Sequence, residues 1–186
     1  MELCPELKLG VLNGWLFLGA LVLVDSICFL VFPKAVVKRL WDRSGWERKQ
    51  VIFTVIGKGA ALVCLSLIVL TPLKIGTTVF AVGAAMAALG LIGVTLALIQ
   101  FRNTPFDQPV SQGLYRISRH PQIVMASAVL LGACIAIGSW TALIVFFVAR
   151  ALSHFGIVAE EEACLKQYGE PYQTYMQRVP RYFVFF

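Results

Sequence analysis

Three ionisable side chains share one face of the helix predicted for residues 139–159 and for the residues that follow. Arg150 and His154 are four residues apart, and Glu161 lies eleven residues beyond Arg150. At about 100° per residue in an α-helix, these spacings place all three on one face. A charged group among lipid chains needs a partner or a polar cavity, so this face predicts the wall of a cavity, where Arg150 or His154 could orient or deprotonate a ligand. The alternative is an arginine that reaches the membrane surface beside interfacial acids.

A second candidate is the loop that reads Gly-Leu-Tyr-Arg-Ile-Ser-Arg-His-Pro over residues 113–121. Pro121 favours the first position of a helix, because its missing N–H is not needed there. The free amides of a helix start attract an anion such as a carboxylate, and Arg119 and His120 add donors. The alternative is a basic loop that merely precedes a helix.

Two further charges, Asp25 and Lys58, lie inside apolar stretches. Each is eight residues from the end of its stretch, at Pro33 and Gln50 respectively, which places both roughly 12 Å deep at 1.5 Å per residue. Equal depth predicts an ion pair between them, and a direct role in catalysis is the alternative.

The composition of the chain indicates that membrane-spanning helices position these charged and polar side chains. Of 186 residues, 59% are hydrophobic and 14% are charged, against about 25% charged in a soluble domain, so a disordered chain is excluded and the composition argues against a soluble enzyme. Because a membrane span needs about 20 apolar residues, we predict a single all-α membrane domain. Its five spans are about 11–32, 51–73, 75–101, 122–138 and 139–159, with a turn at Gly138-Ser139 and a C-terminal segment 160–186 that completes the site.

The basic residues set the orientation. Twelve lie in 33–50, 102–121 and the C-terminal segment, and two, Lys8 and Lys74, lie on the other side. Positive charge stays cytoplasmic, so the N-terminus is predicted outside and the C-terminus in the cytoplasm, as five spans require. The net charge of +6 therefore indicates orientation rather than nucleic-acid binding, and the five dispersed cysteines predict neither a disulfide framework nor a metal site.

The sequence has a specific combination of motifs in residues of about 95–183. Gly113-x-Tyr115-x-x-x-Arg119-His120-Pro121 is followed by two closely spaced spans, then Glu160-Glu161-Glu162, Tyr168-Gly169-Glu170 and Val179-Pro180-Arg181. This half of the chain resembles the isoprenylcysteine carboxyl methyltransferase family, and phosphatidylethanolamine N-methyltransferases are similar in layout. The resemblance implies a small helical membrane enzyme, an S-adenosylmethionine pocket facing the cytoplasm, and a lipophilic substrate that enters from the bilayer.

The resemblance also implies which residues bind the cofactor. They belong to the loop before the fourth span, the end of the third span and the acidic run: Gln100, Val110, Tyr115, Arg119, His120, Pro121, Ile123, Glu161 and Glu162. Ile123 stands where the family usually has tyrosine. Gly156 and Ile157 stand where prenylcysteine enzymes have a substrate-binding arginine, so the resemblance supports cofactor binding better than a prenylcysteine substrate.

Three functions are therefore compared. The first is an S-adenosylmethionine-dependent methyltransferase of the bacterial or archaeal plasma membrane or the endoplasmic reticulum, with membrane lipids as partners. The second is a non-enzymatic binding or scaffold protein of the same descent, suggested by Ile123. The third is a nicotinamide-dependent enzyme similar to sterol reductases. The methyl acceptor (carboxylate, amine, thiol or phenol) and the oligomeric state stay open.

Overall fold

The structure, a computed structural model, describes residues 1–3, 5–40 and 48–183, and the named elements among these residues are all helices. The helices are α1 (Trp15–Val31), α2 (Lys34–Leu40), α3 (Arg48–Leu70), α4 (Thr78–Arg102), α5 (Pro121–Ala136), α6 (Trp140–Tyr168) and α7 (Glu170–Arg178), with a 3-10 turn at Gly113–Arg116. The predicted all-α class is confirmed.

Each predicted span overlaps one apolar helix over most of its length. α4 and α6 are long and apolar enough to cross a membrane, whereas α1, α5 and the apolar part of α3 are shorter apolar helices. Two details differ from the sequence prediction. The short helix α2 follows directly after Pro33, within a segment that was predicted to be a loop. α6 continues to Tyr168, so the predicted boundary at residue 159 lies inside one helix.

The closest helix contact joins α4 to α5 through small residues. A Cβ atom placed on Gly83 would lie 2.4 Å from the carbonyl oxygen of Gly132 and 2.5 Å from the backbone nitrogen of Ala136. A Cβ atom on Gly90 would lie 2.8 Å from the backbone nitrogen of Val129. The glycine- and alanine-rich sequence of α4 therefore lets the two backbones touch, as such sequences do in membrane helix pairs.

α3 packs against α6 in a similar way. A Cβ atom on Gly57 would lie 3.3 Å from backbone atoms of Leu152 and Ser153. Further along the same helices, Cys64 and Ile68 are buried with Ala142 and Phe146 in an apolar core that α5 also enters. These contacts fix α6 between α3 and α5.

The N-terminal segment closes one end of the bundle. The Glu2 carboxylate lies 2.7 Å from Lys74 Nζ, the Glu2 amide donates to the Gly138 carbonyl at 2.7 Å, and Trp140 donates to the Glu2 carbonyl at 2.9 Å. Gly138 has a φ of +67°, which glycine adopts readily in the turn between α5 and α6. The loop before α5, helix α2 and the C-terminal segment meet at the opposite end.

Candidate functional site

The predicted neighbourhood of His120 and Glu161 is present at that opposite end. α5 begins at Pro121, directly after His120, and the His120 amide donates to Ser118 Oγ at 3.1 Å. His120 Nε2 lies 3.1 Å from Glu161 Oε1 although the two residues are 41 positions apart. The turn at Gly138 brings the start of α5 beside the later part of α6, as the sequence indicated.

Glu161 is the centre of a buried charge network. Its side chain is only 3% exposed, and Arg119 Nε lies 2.9 Å from Oε1. Arg181 reaches the other oxygen, Oε2, through Nη2 at 2.7 Å and Nε at 3.1 Å. These hydrogen bonds raise the pKa of the Arg181 guanidinium, so the pair stays charged. Both oxygens of Glu161 are thus held by side chains of the protein itself.

The segment after α6 is fastened over the loop before α5. The Arg119 amide donates to the Pro180 carbonyl at 2.9 Å, and Arg119 Nη1 donates to the Met176 carbonyl at 2.9 Å. The Tyr175 hydroxyl donates to the Tyr115 carbonyl at 2.7 Å, and burial raises the pKa of Tyr175, so the donor keeps its proton. The C-terminal segment therefore packs over the loop before α5, and the role predicted for 160–186 in completing the site stays a prediction.

Arg39 of α2 joins a third part of the chain to this end, and the sequence analysis did not identify it. Its guanidinium donates to the carbonyls of Thr104, Pro105 and Gln108 and, at 2.9 Å, to the Tyr168 hydroxyl. Because one cation satisfies three carbonyls and a phenol, it ties α2 to the loop after α4 and to the end of α6. Arg39 is one of six basic residues in 33–50, so no local signal singled it out.

A large cavity of about 1040 Å³ lies between these elements, at the upper end of the range of roughly 300–1,000 Å³ for ligand pockets. Its wall includes Gln122 and Glu160, which were not predicted, and the following predicted residues: Val110, Tyr115, Arg119, His120, Ile123 and Arg150. The Gln122 side chain on this wall interacts with the Tyr115 side chain. The cavity thus presents an amide, a carboxylate and aromatic rings.

The other predicted site residues lie outside this wall. Gln100 accepts a hydrogen bond from the Leu114 amide at 2.8 Å and supports the 3-10 turn, where a Cβ atom on Gly113 would lie 2.2 Å from it. Pro121 is buried at the start of α5, and Glu162 is exposed on α6. Glu161 lies behind the wall, and its neighbour Glu160 lines the cavity instead.

A second, mainly apolar groove of about 630 Å³ lies between α5 and α6. It shares two lining residues, Ile123 and Arg150, with the large cavity. The rest of its wall is formed by Val124, Ser127, Phe147, Ala151, His154, Phe155 and Tyr182. In this groove His154 Nδ1 lies 2.9 Å from the Tyr182 hydroxyl, and Arg181 Nη1 lies 3.4 Å from His154 Nε2. The predicted face of Arg150, His154 and Glu161 is therefore divided among the cavity, the groove and the buried network.

The predicted ion pair between Asp25 and Lys58 is wrong. Both residues line the large cavity, but no ion pair within 4.0 Å joins them in this described region. Equal depth in neighbouring helices places two residues at one level, but the rotation of each helix about its axis decides whether their side chains meet.

Comparison with known proteins assigns the chain to a family. The family model described as phospholipid methyltransferase matches residues 60–171, more than half of the chain. The chain belongs to the phospholipid methyltransferase family. Searches of curated proteins and of solved structures gave no match.

Membership of the phospholipid methyltransferase family confirms the resemblance read from the motifs. The match includes the loop before α5 and the acidic run at Glu160. It excludes Asp25, Arg39, Lys58 and Arg181, although the structure places all four at the cavity or its supporting network. The match to this membrane methyltransferase family thus covers the middle of the chain, whereas segments before and after the match also contribute residues to the site.

Proposed function

We propose that this protein transfers a methyl group from S-adenosylmethionine to a lipophilic acceptor that enters from the membrane. The observation that carries the proposal is the large cavity, whose wall joins Tyr115, Arg119 and His120 to Arg150 at the edge of the apolar groove. The family match supports methyl transfer as the reaction class.

The cavity wall fits S-adenosylmethionine chemically. The Gln122 amide offers a donor for a carboxylate, and Glu160 offers an acceptor for an ammonium group or for ribose hydroxyls. The rings of Tyr115 and Tyr175 offer faces for adenine. When bound, the cofactor supplies an electrophilic methyl group on a sulfonium, and its transfer depends mainly on positioning.

Glu161 acts in this proposal as a positioning residue. Its carboxylate holds Arg119 and His120 at the cavity wall and ties Arg181 of the C-terminal segment to them. Arg119 and His120 then face the cavity with their orientation fixed by a buried partner. Pro121, Gln100 and Gly113 support the same loop from behind.

The groove supports a lipophilic acceptor. Phe147 and Phe155 on its wall are 59% and 43% exposed, which suits contact with hydrocarbon. Arg150 and Ile123 border both spaces, so an acceptor lying in the groove has its polar end at the cavity. Arg150 is the residue that would orient this end. Both ring nitrogens of His154 contact Tyr182 or Arg181, so we assign His154 to positioning the C-terminal segment.

Calorimetry with S-adenosylhomocysteine and, separately, with a reduced nicotinamide cofactor tests the proposal on the full chain in detergent. We expect S-adenosylhomocysteine alone to bind. Glu160→Gln should weaken its binding about tenfold or more, since a hydrogen bond to a charged group contributes about 1.5–3 kcal/mol. Glu170→Gln, an exposed carboxylate that does not line the cavity, is the matched control. Binding of the nicotinamide alone, or of neither compound, would contradict the proposal and favour the reductase or the scaffold protein.

We also propose that five helices cross the membrane, with the cavity facing the cytoplasm. The motive is the excess of basic residues at the cavity end of the bundle. In sealed vesicles of known orientation, a membrane-impermeant maleimide should label Ser111→Cys only from the cytoplasmic side. It should label Ile75→Cys only from the opposite side. Both positions are exposed in loops. Labelling of both from one side would contradict this topology.

A further inference from the structure

One wall of the large cavity consists of helix α2 and the loop 103–112, and we call these two parts the α2 wall. The loop runs from the end of α4 to the 3-10 turn and belongs to no named helix. The wall lines the cavity with Lys38, Arg39 and Leu40 of α2 and with Phe106, Pro109 and Val110 of the loop. A short helix and an irregular loop therefore separate this side of the cavity from solvent.

Helix α2 makes few apolar contacts that could hold it in place. Of its seven residues only Val36 is buried, and Val37 and Leu40 are partly buried beside the same apolar cluster. Seven residues form about two helical turns, and a helix of that length is not stable by itself in water. The position of α2 therefore depends on its contacts with other elements.

The polar contacts of α2 with the loop come from one side chain, Arg39. Its Nη1 donates to the carbonyls of Thr104 at 3.2 Å and Pro105 at 3.1 Å. Its Nη2 donates to the Gln108 carbonyl at 2.8 Å and to the Tyr168 hydroxyl at 2.9 Å. Hydrogen bonds from a charged donor are the stronger kind, so this guanidinium joins the two parts of the α2 wall to each other and to α6.

Three aromatic rings surround the same guanidinium. Its central carbon lies 5.2 Å from the ring centre of Phe101, 5.3 Å from that of Phe106 and 5.9 Å from that of Tyr168. Rings within about 6 Å of a cation attract it through their electron-rich faces. Arg39 lies outside residues 60–171, so this arrangement is not part of the segment that matches the family.

We infer that Arg39 is a positioning residue that holds the α2 wall in place, and that release of its contacts opens the cavity for a ligand to enter and leave. Segments with few buried apolar contacts open at low cost in free energy, and such openings often set the rate of ligand exchange. The identity of the ligand as S-adenosylmethionine rests on the proposed function, whereas the opening of the wall does not.

The thiol of Cys164 reports on this opening, because Cys164 is half-buried and lines the cavity. Burial raises the pKa of Cys164 to about 12, the charge of Glu160 raises it further, and the charge of Arg39 opposes this rise. The thiolate is the reactive form, so losing the Arg39 charge alone would slow the labelling of Cys164. Opening of the wall would accelerate it. The direction of the change therefore separates access from electrostatics.

The experiment labels the full chain in detergent with a small, water-soluble methanethiosulfonate, and peptide mass spectrometry gives the rate at each cysteine. We expect Arg39→Gln to accelerate the labelling of Cys164 about tenfold or more, since four hydrogen bonds from a charged group are lost. Arg39→Lys should fall between, because one ammonium cannot reproduce the planar fork of a guanidinium. Arg178→Gln is the matched control, because Arg178 is exposed and does not line the cavity. An unchanged or slower rate in Arg39→Gln would overturn the inference.

The thiols of Cys64 and Cys134 control for general unfolding, because both are buried in the apolar core of the bundle. They should stay unlabelled in Arg39→Gln. Equal acceleration at these two positions would mean that Arg39 stabilises the whole bundle, and it would contradict a specific role at the wall.

Surface plasmon resonance with S-adenosylhomocysteine separates this inference from the proposed function. In Arg39→Gln we expect both association and dissociation to be about tenfold faster, so that the affinity changes less than either rate. If the unsubstituted protein does not bind S-adenosylhomocysteine, the proposed function is wrong, and the labelling of Cys164 still decides the role of Arg39. Faster labelling with unchanged exchange rates would show that the ligand enters elsewhere and would overturn the entry route.

Discussion

The Glu161→Ala variant is expected to unfold at a much lower temperature than the unsubstituted protein, with a loss of about 3–5 kcal/mol in the free energy of unfolding. The carboxylate is 3% exposed and is shared by Arg119, His120 and Arg181. Its removal leaves the side chain of Arg119, which is 8% exposed, as a buried cation without its partner. Circular dichroism during heating in a fixed detergent measures the change.

Glu162→Ala is the matched control, because it removes the same group from the next position of α6, where the side chain is exposed. Surface substitutions of this kind usually change the free energy of unfolding by no more than about 0.5 kcal/mol. Equal unfolding temperatures for the two variants would show that the buried network does not stabilise the protein. Glu161→Gln keeps the shape and loses the charge, so it should fall between the two.

A second large effect is expected where α4 touches α5. Gly83→Val should destabilise the protein by about 3 kcal/mol, because its side chain would enter space held by the backbone of Gly132 and Ala136. The backbone atoms cannot move aside without separating the helices.

Gly59→Val provides the control within α3. Gly59 is also inside a helix, but a Cβ atom there would have no atom within 4 Å, so we expect a change near zero. The difference between the two unfolding temperatures isolates packing from the intrinsic helix preference of valine. If both variants unfold together, the close contact between α4 and α5 contributes nothing to stability.

The sequence was sufficient for the features that depend on local pattern. The apolar stretches predicted where the five apolar helices lie, and the turn at Gly138 implied that His120 and Glu161 are neighbours. The helical repeat was less reliable for α6. The helical repeat placed Glu161 on the cavity face. In the structure, Glu160 lines the cavity, and Glu161 accepts a hydrogen bond from Arg181.

The residues that the sequence analysis missed act across long separations. From the C-terminal segment, Arg181 reaches Glu161 of α6 and Tyr175 reaches the loop before α5. Arg39 of α2 reaches the loop after α4. Nothing in the local pattern around an arginine or tyrosine indicates which distant carbonyl or carboxylate it will contact. The ion pair assigned to Asp25 and Lys58 failed for a related reason, since depth was read from the sequence and the rotation of each helix was not.

The contacts made by Glu2 have a consequence for the order of folding. This residue contacts Gly138 and Trp140, which lie more than a hundred positions later in the chain, and it pairs with Lys74, which lies between them in sequence. During synthesis, Glu2 leaves the ribosome long before the turn that it contacts, so this end of the bundle closes only after that turn and the start of α6 have been made. Contacts of such high sequence separation form late and slowly. In hydrogen-exchange pulse labelling, the amides of Glu2 and Trp140 should therefore gain protection after those inside α4 and α5.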